Sequence, residues 1–280
     1  MGAQYLSFHC TYTIPVAALL TIFYYPFFTR RDICKITFLD ILVVTATIPW
    51  DSNLIRHGIW SYPPDATFNR SLYNIPLEEV AFFVLQTSIT GLMYCTCSKV
   101  LVLPMYLPVR PVRRTRNLGG LGLVGLFAIG MICFDAGLPV HHRSAMAAGV
   151  WLIAPAMQLG VHVVALEIEE MLFFPVTNVM IVFGLIGFDY ACAMAEYTTI
   201  CTGVAPGTTR DAVKDVLQAM IHPPAIQASV ITNLQQAVAR LHEKSQSMFV
   251  GSALFQGSVR VDLIYVYSFC RVIDDLIDDA

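Results

Sequence analysis

The sequence reads PLEEVAFF at residues 76–83 and EIEEMLFF at residues 167–174. The two stretches are 91 residues apart, and the same offset places Trp60 on Trp151. One register that aligns tryptophan, paired glutamates and paired phenylalanines indicates an internal duplication. Carboxylates next to apolar segments are costly, so two pairs in equivalent positions suggest a site built between two halves of a membrane protein.

The composition indicates an all-α, polytopic membrane helix bundle. Hydrophobic residues make up 56% of the chain, charged residues only 13%, and the mean hydropathy is +0.62. Soluble domains carry about 25% charged residues, nearly twice as many. The net charge of -3 gives no reason to expect a nucleic-acid partner, and membrane lipid is the expected surrounding.

Apolar stretches divide the chain into candidate membrane spans. They cover residues 11–29, 36–50, 79–98, 118–134, 144–166 and 171–190. The duplication register aligns 144–166 with the polar loop 53–75, so we predict that 144–166 does not cross and that five spans remain. Eight Lys and Arg residues then lie on one side, in loops 30–35 and 99–117, against three on the other. The positive-inside rule puts the C-terminal region in the cytosol and both acidic motifs on the opposite face.

The character of the sequence changes after Tyr190. We predict a membrane domain over 1–190, a linker over 191–225 that contains a short helix ended by Pro223-Pro224, and an amphipathic helical domain over 226–280.

The spacing within the motifs suggests acid–base chemistry. Glu78 and Phe82 share a helix face, as do Glu79 and Phe83. The second copy repeats the pattern with Glu169, Glu170, Phe173 and Phe174. Carboxyl groups in an apolar setting can donate and accept protons, and aromatic faces stabilise a cation, a combination that suits isomerisation of an alkene. The alternative is that these acidic residues only favour the positive end of a helix dipole.

A second acidic cluster ends the chain. Asp274, Asp275 and Asp278 lie on one predicted helix, with Arg271 one turn before Asp275. Clustered carboxylates suit Mg²⁺ that bridges a diphosphate, and the alternative is a solvated acidic terminus.

These motifs, together with HGIWSYPP at 57–64 and QLGVH at 158–162, resemble the fungal bifunctional lycopene cyclases/phytoene synthases. The stretches KSQSMF at 244–249 and YVYSFCR at 265–271 are similar to the start of a squalene/phytoene synthase domain. The family usually has seven spans and more sequence between the two acidic motifs than this chain has.

The resemblance implies that residues 1–190 convert lycopene through γ-carotene to β-carotene without a cofactor. Acid–base roles would fall to the four glutamates, cation-stabilising roles to the four phenylalanines, and substrate contacts to Trp60, Trp151 and Arg271. Asp51 is a lesser candidate because its counterpart in the second copy is His142. The synthase part would join two geranylgeranyl diphosphates with Mg²⁺ held by Asp274, Asp275 and Asp278. Implied partners are carotenoid and prenyl diphosphate substrates and other carotenoid enzymes.

Two further expectations follow. A synthase needs a second aspartate-rich motif, and residues 225–280 contain one cluster only, so we expect no phytoene from these 280 residues. The rival hypotheses are a repeat-built transporter that uses the glutamates as ion sites, and a purely structural membrane anchor.

Overall fold

The computed structural model describes residues 4–58, 61–62, 67–68, 70–107, 168–203, 209–222 and 224–278. The described chain is almost entirely helical, which confirms the all-α prediction. The helices are α1 (Gln4–Phe8), α2 (Ile14–Tyr24), α3 (Arg30–Arg56), α4 (Leu77–Ser98), α5 (Ile168–Thr202), α6 (Thr209–Ile221), α7 (Ala228–Lys244), α8 (Gln246–Ser252) and α9 (Gly257–Asp278). A π-helical turn (His9–Thr13) joins α1 to α2, short 3₁₀ turns cover Tyr25–Phe27 and Leu103–Tyr106, and two short antiparallel strands, β1 (Ser71–Leu72) and β2 (Ile75–Pro76), precede α4.

Four helical segments are long and apolar enough to cross a membrane. They are Tyr5–Phe27, Arg30–Arg56, Leu77–Ser98 and Thr177–Thr202. Only 6% and 11% of the apolar windows of the first two segments are buried within the protein. Apolar side chains such as Leu19 and Ile22 are therefore exposed, as expected for helices that face lipid. The predicted stretches 118–134 and 144–166 lie outside the described residues.

The second span is longer than the predicted stretch 36–50, which covers only its apolar centre. Helix α3 starts at a capping box, in which the Asp32 backbone N–H donates to Thr29 Oγ1 (3.1 Å) and the Thr29 N–H donates to Asp32 Oδ2 (3.2 Å). These bonds satisfy backbone donors that a helix start leaves without partners. The helix therefore begins six residues earlier than the apolar pattern indicates.

The chain forms two compact units, residues 1–96 with 113–185 and residues 97–112 with 186–280. In the first unit, α3 and α4 are antiparallel. Ser88 Oγ donates to Asp40 Oδ2 (3.3 Å), and the Lys35 ammonium lies 5.1 Å from the centre of the Tyr94 ring. The start of α3 thus lies beside the end of α4.

Helices α4 and α5 run in the same direction. Asn178 Oδ1 accepts hydrogen bonds from Gln86 Nε2 (3.2 Å) and Thr90 Oγ1 (2.8 Å). Further along both helices, Tyr94 packs against the cluster that contains Ile181 and Leu185. Both helices therefore begin at the same end of the first unit.

The second unit is built on the amphipathic C-terminal helices. Leu234 and Leu241 of α7 pack against Val261 and Ile264 of α9, and Val102 joins this core. Apolar residues at helical spacing predict such packing.

Helix α5 continues twelve residues beyond the predicted stretch 171–190. The helix continues past Tyr190 because the residues that follow, Ala193, Met194 and Tyr197, are buried in a core of the second unit. The helix ends at Thr202, before Gly203, whose φ of +67° is in the left-handed region that glycine tolerates. Helix α6 corresponds to the short helix predicted before Pro223-Pro224. The functional limits 1–190, 191–225 and 226–280 stay a prediction.

Candidate functional site

A tight β-hairpin directly precedes α4. Strands β1 and β2 are joined by Tyr73 and Asn74, whose φ values of 52° and 72° are both positive, as a type I′ two-residue hairpin turn requires. Ile75 is fully buried and anchors the second strand, and the Leu77 N–H donates to the Arg70 carbonyl (3.0 Å). The first acidic motif therefore starts from a fixed backbone position.

The first motif lies in the interior of the first unit. Glu78 and Glu79 are 7% and 8% exposed, and Phe82 and Phe83 are buried one turn later. Charged side chains are seldom buried to this degree without a partner. The surroundings of each glutamate therefore decide what it can do.

The two glutamates have different partners. The Phe68 backbone N–H donates to Glu78 Oε1 (2.8 Å), whereas Glu78 Oε2 is buried and has no hydrogen-bonding partner among the residues that the structure describes. Glu79 Oε2 accepts a hydrogen bond from the hydroxyl group of Tyr5. The two glutamates therefore differ: Tyr5 holds the carboxyl group of Glu79, whereas one carboxyl oxygen of Glu78 is held by no described residue.

Asp51, the lesser candidate, lies at the same end of the unit. It is completely buried, and neither of its carboxyl oxygens has a hydrogen-bonding partner within the described ranges. The carboxyl groups of Asp51 and Glu79 are near enough to interact electrostatically. The antiparallel packing of α3 on α4 explains why residues 28 positions apart in sequence meet here.

The N-terminal helical segment Tyr5–Phe27 contributes two residues that belong to no sequence motif, Tyr5 and His9. His9 is 2% exposed. Its Nε2 lies 3.2 Å from the Glu78 carbonyl oxygen, and its Nδ1 lies 2.9 Å from Thr13 Oγ1. Its ring stacks on Phe82 with centroids 5.8 Å apart and an angle of 29° between the ring planes. The only feature of the sequence that could have pointed to His9 is its position as a lone histidine in an apolar segment. Such a histidine is more often a buried residue with ordinary hydrogen bonds than part of a site.

A cavity of about 600 Å³ opens beside Glu78. Its walls are Leu6, His9, Ile14, Phe68, Arg70, Leu77, Glu78, Ala81 and Leu85. This volume is within the range of ligand pockets, and apolar walls with a few polar groups suit a largely hydrocarbon ligand. Arg70 was predicted only as part of a polar loop.

The second motif starts α5. Residues 169, 170, 173 and 174 lie in its first turns, and the side chains of Glu169, Glu170, Phe173 and Phe174 are outside what the structure describes, as are Trp60 and Trp151. Gln86 follows Glu78 by eight residues and Asn178 follows Glu170 by eight. Eight residues of helix rise about 12 Å. Since Gln86 and Asn178 are hydrogen-bonded and the helices are parallel, the backbones of both motifs begin at the same end.

The C-terminal candidates lie on α9. Arg271 Nη2 forms an ion pair with Asp275 Oδ1 (3.0 Å) one turn along the helix, and both side chains are partly exposed. Asp274 and Asp278 are exposed. Carboxylates suit Mg²⁺, but within the described part of the chain no three His, Cys, Asp or Glu residues form a group that could hold a metal. The magnesium role of Asp274, Asp275 and Asp278 stays a prediction.

Several curated proteins are similar to this chain along nearly all of its length. A bifunctional lycopene cyclase/phytoene synthase of Aspergillus niger is 44% identical over 98% of the chain, which covers 55% of that protein. Proteins of the same name from Arthroderma gypseum and Aspergillus oryzae are each 38% identical over the whole chain, which covers 57% and 56% of them. No protein-family model matches the chain, and no solved structure matches it.

The chain spans about half the length of the curated relatives that it matches. The matches extend over 321 and 339 positions, more than the 280 residues of the chain, so the relatives carry additional residues within the matched stretch.

Proposed function

The chain is related along its whole length to the bifunctional lycopene cyclases/phytoene synthases, and from that premise we propose that its membrane part closes the end rings of lycopene. The observation that carries the proposal is the buried glutamate pair beside an apolar cavity with aromatic neighbours. A hydrocarbon substrate offers no polar group to bind, so shape, proton transfer and cation stabilisation are what a site for it must provide.

The chemistry is a proton-in, proton-out isomerisation. A carboxyl group gives its proton to the terminal double bond of lycopene, which breaks an O–H bond and forms a C–H bond. The internal double bond attacks the resulting tertiary cation and closes the ring. A carboxylate then removes a ring proton, and the electron pair of that C–H bond becomes the ring double bond. Atoms and electrons balance without an oxidant or a nucleotide.

The acid and base in this proposal are drawn from Glu78, Glu79, Glu169 and Glu170. Phe82, Phe83, Phe173 and Phe174 form walls whose π faces stabilise the cation, and Trp60 and Trp151 contact substrate. Glu78 lies in the cavity wall and has one carboxyl oxygen without a partner among the described residues, which supports a direct role for that residue. The common starting level of α4 and α5 supports a site that uses both copies.

The proposed topology is a multi-pass membrane protein with a cytosolic C-terminal region. Two parallel helices that both cross a membrane require an odd number of crossings in the chain between them. This parity supports one crossing rather than two within residues 99–167, and the duplication register is what assigns that crossing to 118–134 and not to 144–166. Basic residues at 30–35 lie at the same end of the first unit as the end of α4, which agrees with one basic face.

The C-terminal region corresponds in this proposal to the beginning of a phytoene synthase domain that acts on prenyl diphosphates. Asp274, Asp275 and Asp278 would contribute magnesium ligands and Arg271 a phosphate contact, once further ligands complete the site. Magnesium would neutralise the charge of the diphosphate leaving group. Other carotenoid enzymes are the proposed partners.

The test is pigment analysis in lycopene-producing cells that express the chain. We expect cyclised product from the wild type and none from Glu78→Gln or Glu169→Gln, because glutamine keeps the size but cannot carry the proton. Glu243→Gln, at an exposed position of α7, is the matched control and should leave the product unchanged. Membrane insertion of each variant is checked by fractionation.

Lycopene that stays unchanged with the wild-type chain would contradict the cyclase proposal and favour a transporter or anchor. Full cyclisation by both glutamine variants would remove these two glutamates from the mechanism.

A further inference from the structure

We infer that Tyr5 and His9 are positioning residues of the acid–base site, so that the N-terminal helix is part of the catalytic unit. This inference rests on the proposed cyclase function and adds two residues to it. The first unit brings them to the acidic motif from 74 and 69 residues away in sequence.

Tyr5 fixes the orientation of Glu79. The terminal torsion of a glutamate side chain is broad, so a free carboxylate presents its oxygens in many directions. The Tyr5 hydroxyl donates to Glu79 Oε2, and the Tyr5 ring packs edge-on against His9 with centroids 5.0 Å apart. A hydroxyl on a ring that is itself held in place restricts the carboxylate to one orientation.

His9 fixes the backbone of Glu78 and the ring of Phe82. Its Nε2 bonds the Glu78 carbonyl, its Nδ1 bonds Thr13, and its face stacks on Phe82. The Glu78 carbonyl oxygen can only accept, so Nε2–H donates to it, and Nδ1 of the neutral ring carries no proton. Thr13 Oγ1 lies 2.9 Å from Nδ1 and 3.1 Å from the His9 carbonyl oxygen, so its hydroxyl group can donate to either. The Glu78 carbonyl therefore selects the His9 tautomer, and the Thr13 side chain lies against the other ring nitrogen.

The backbone around His9 is adapted to this role. Residues His9–Thr13 form a π-helical turn between α1 and α2, a feature often found at functional sites. Both contacts converge on two adjacent catalytic candidates. Reacting groups displaced by about 1 Å lose on the order of 100-fold in rate, so such contacts set the turnover number.

The experiment measures kcat and KM for lycopene with the full chain in lipid vesicles. Tyr5→Phe removes only the hydroxyl and should lower kcat by roughly 10- to 100-fold, with KM changed by less than about twofold. His9→Gln keeps a donor for the Glu78 carbonyl and should retain more activity than His9→Ala. Tyr12→Phe is the matched control, because Tyr12 is 62% exposed and its ring packs against Phe8 (centroids 5.3 Å apart).

A second readout does not depend on turnover. The infrared carboxyl band that Glu79→Gln removes should shift in Tyr5→Phe and stay in place in Tyr12→Phe. If Tyr5→Phe has the same kcat as the wild type and the infrared band does not shift, the inference is overturned. The proposed function still stands in that case, because the wild type is active. A loss of activity matched by an equal loss of thermal stability would mark a structural role and also overturn it. An inactive wild type would overturn the proposed function first.

Discussion

Arg260 holds the segment after α4 against the C-terminal helices, and its replacement should open the second unit. Its Nη1 donates to the Leu101 carbonyl and its Nη2 to the Val100 carbonyl, both at 2.9 Å, and its Nε donates to Ser252 Oγ (3.3 Å). The side chain is only 7% exposed. Hydrogen bonds from a charged group contribute about 1.5–3 kcal/mol each. Two bonds to backbone carbonyls, at the lower value because Leu101 itself is exposed, amount to about 3 kcal/mol.

We therefore expect Arg260→Met to lower the local free energy of opening of α7 and α9 by about 3 kcal/mol, which is roughly a 100-fold change in the opening equilibrium. Methionine keeps the apolar stem and the helix propensity, so the loss is assigned to the guanidinium. Hydrogen exchange of the full chain in detergent, followed by mass spectrometry over residues 228–244, measures it.

Lys244→Met is the control, because Lys244 is exposed at the end of α7. A change of less than about threefold over 228–244 in Arg260→Met would refute the reasoning and show that the apolar core of α7 and α9 holds the unit without the arginine.

Two stability predictions concern the spans. Thr29→Ala removes the hydroxyl acceptor of the α3 capping box and should lower the free energy of unfolding by about 1 kcal/mol, measured as a lower melting temperature in detergent. An unchanged melting temperature would mean that water replaces the cap. Gly184→Ala places a Cβ 3.0 Å from a methyl carbon of the buried Leu39, so an overpacking cost of about 1–3 kcal/mol should oppose the gain in helix propensity. In Gly187→Ala, on the same helix, the new Cβ meets nothing within 4 Å, so this variant should be stabilised by up to about 1 kcal/mol. Equal effects of the two alanines would contradict this account.

Much of the fold follows from local sequence patterns. Apolar runs predicted where α2, α4 and α5 lie, and the motif spacing predicted which residues share a face, because helix periodicity is a local property. The helix ends were less predictable. The extension of α5 to Thr202 depends on burial of Ala193 and Tyr197 in the second unit, which no local pattern reveals.

The partners of the site could not be predicted for the same reason. Tyr5 and His9 meet the glutamates across a gap of about seventy residues in sequence, and neither belongs to a motif of its own. The position of Asp51 beside Glu79 likewise requires the antiparallel packing of α3 on α4. The roles of the glutamates and phenylalanines in both copies stay predictions.

The shared direction of α4 and α5 has a consequence for the history of the fold. The sequence register predicts a duplication, and duplicated membrane units with opposite directions are related by an axis in the membrane plane. Here the two motif-bearing helices point the same way, which is the relation of repeats about an axis along the membrane normal. An ancestor with a single copy would have needed only one orientation. Two such ancestral chains, side by side in a symmetric dimer, would already have brought two acidic motifs to the same side before any gene fusion joined them.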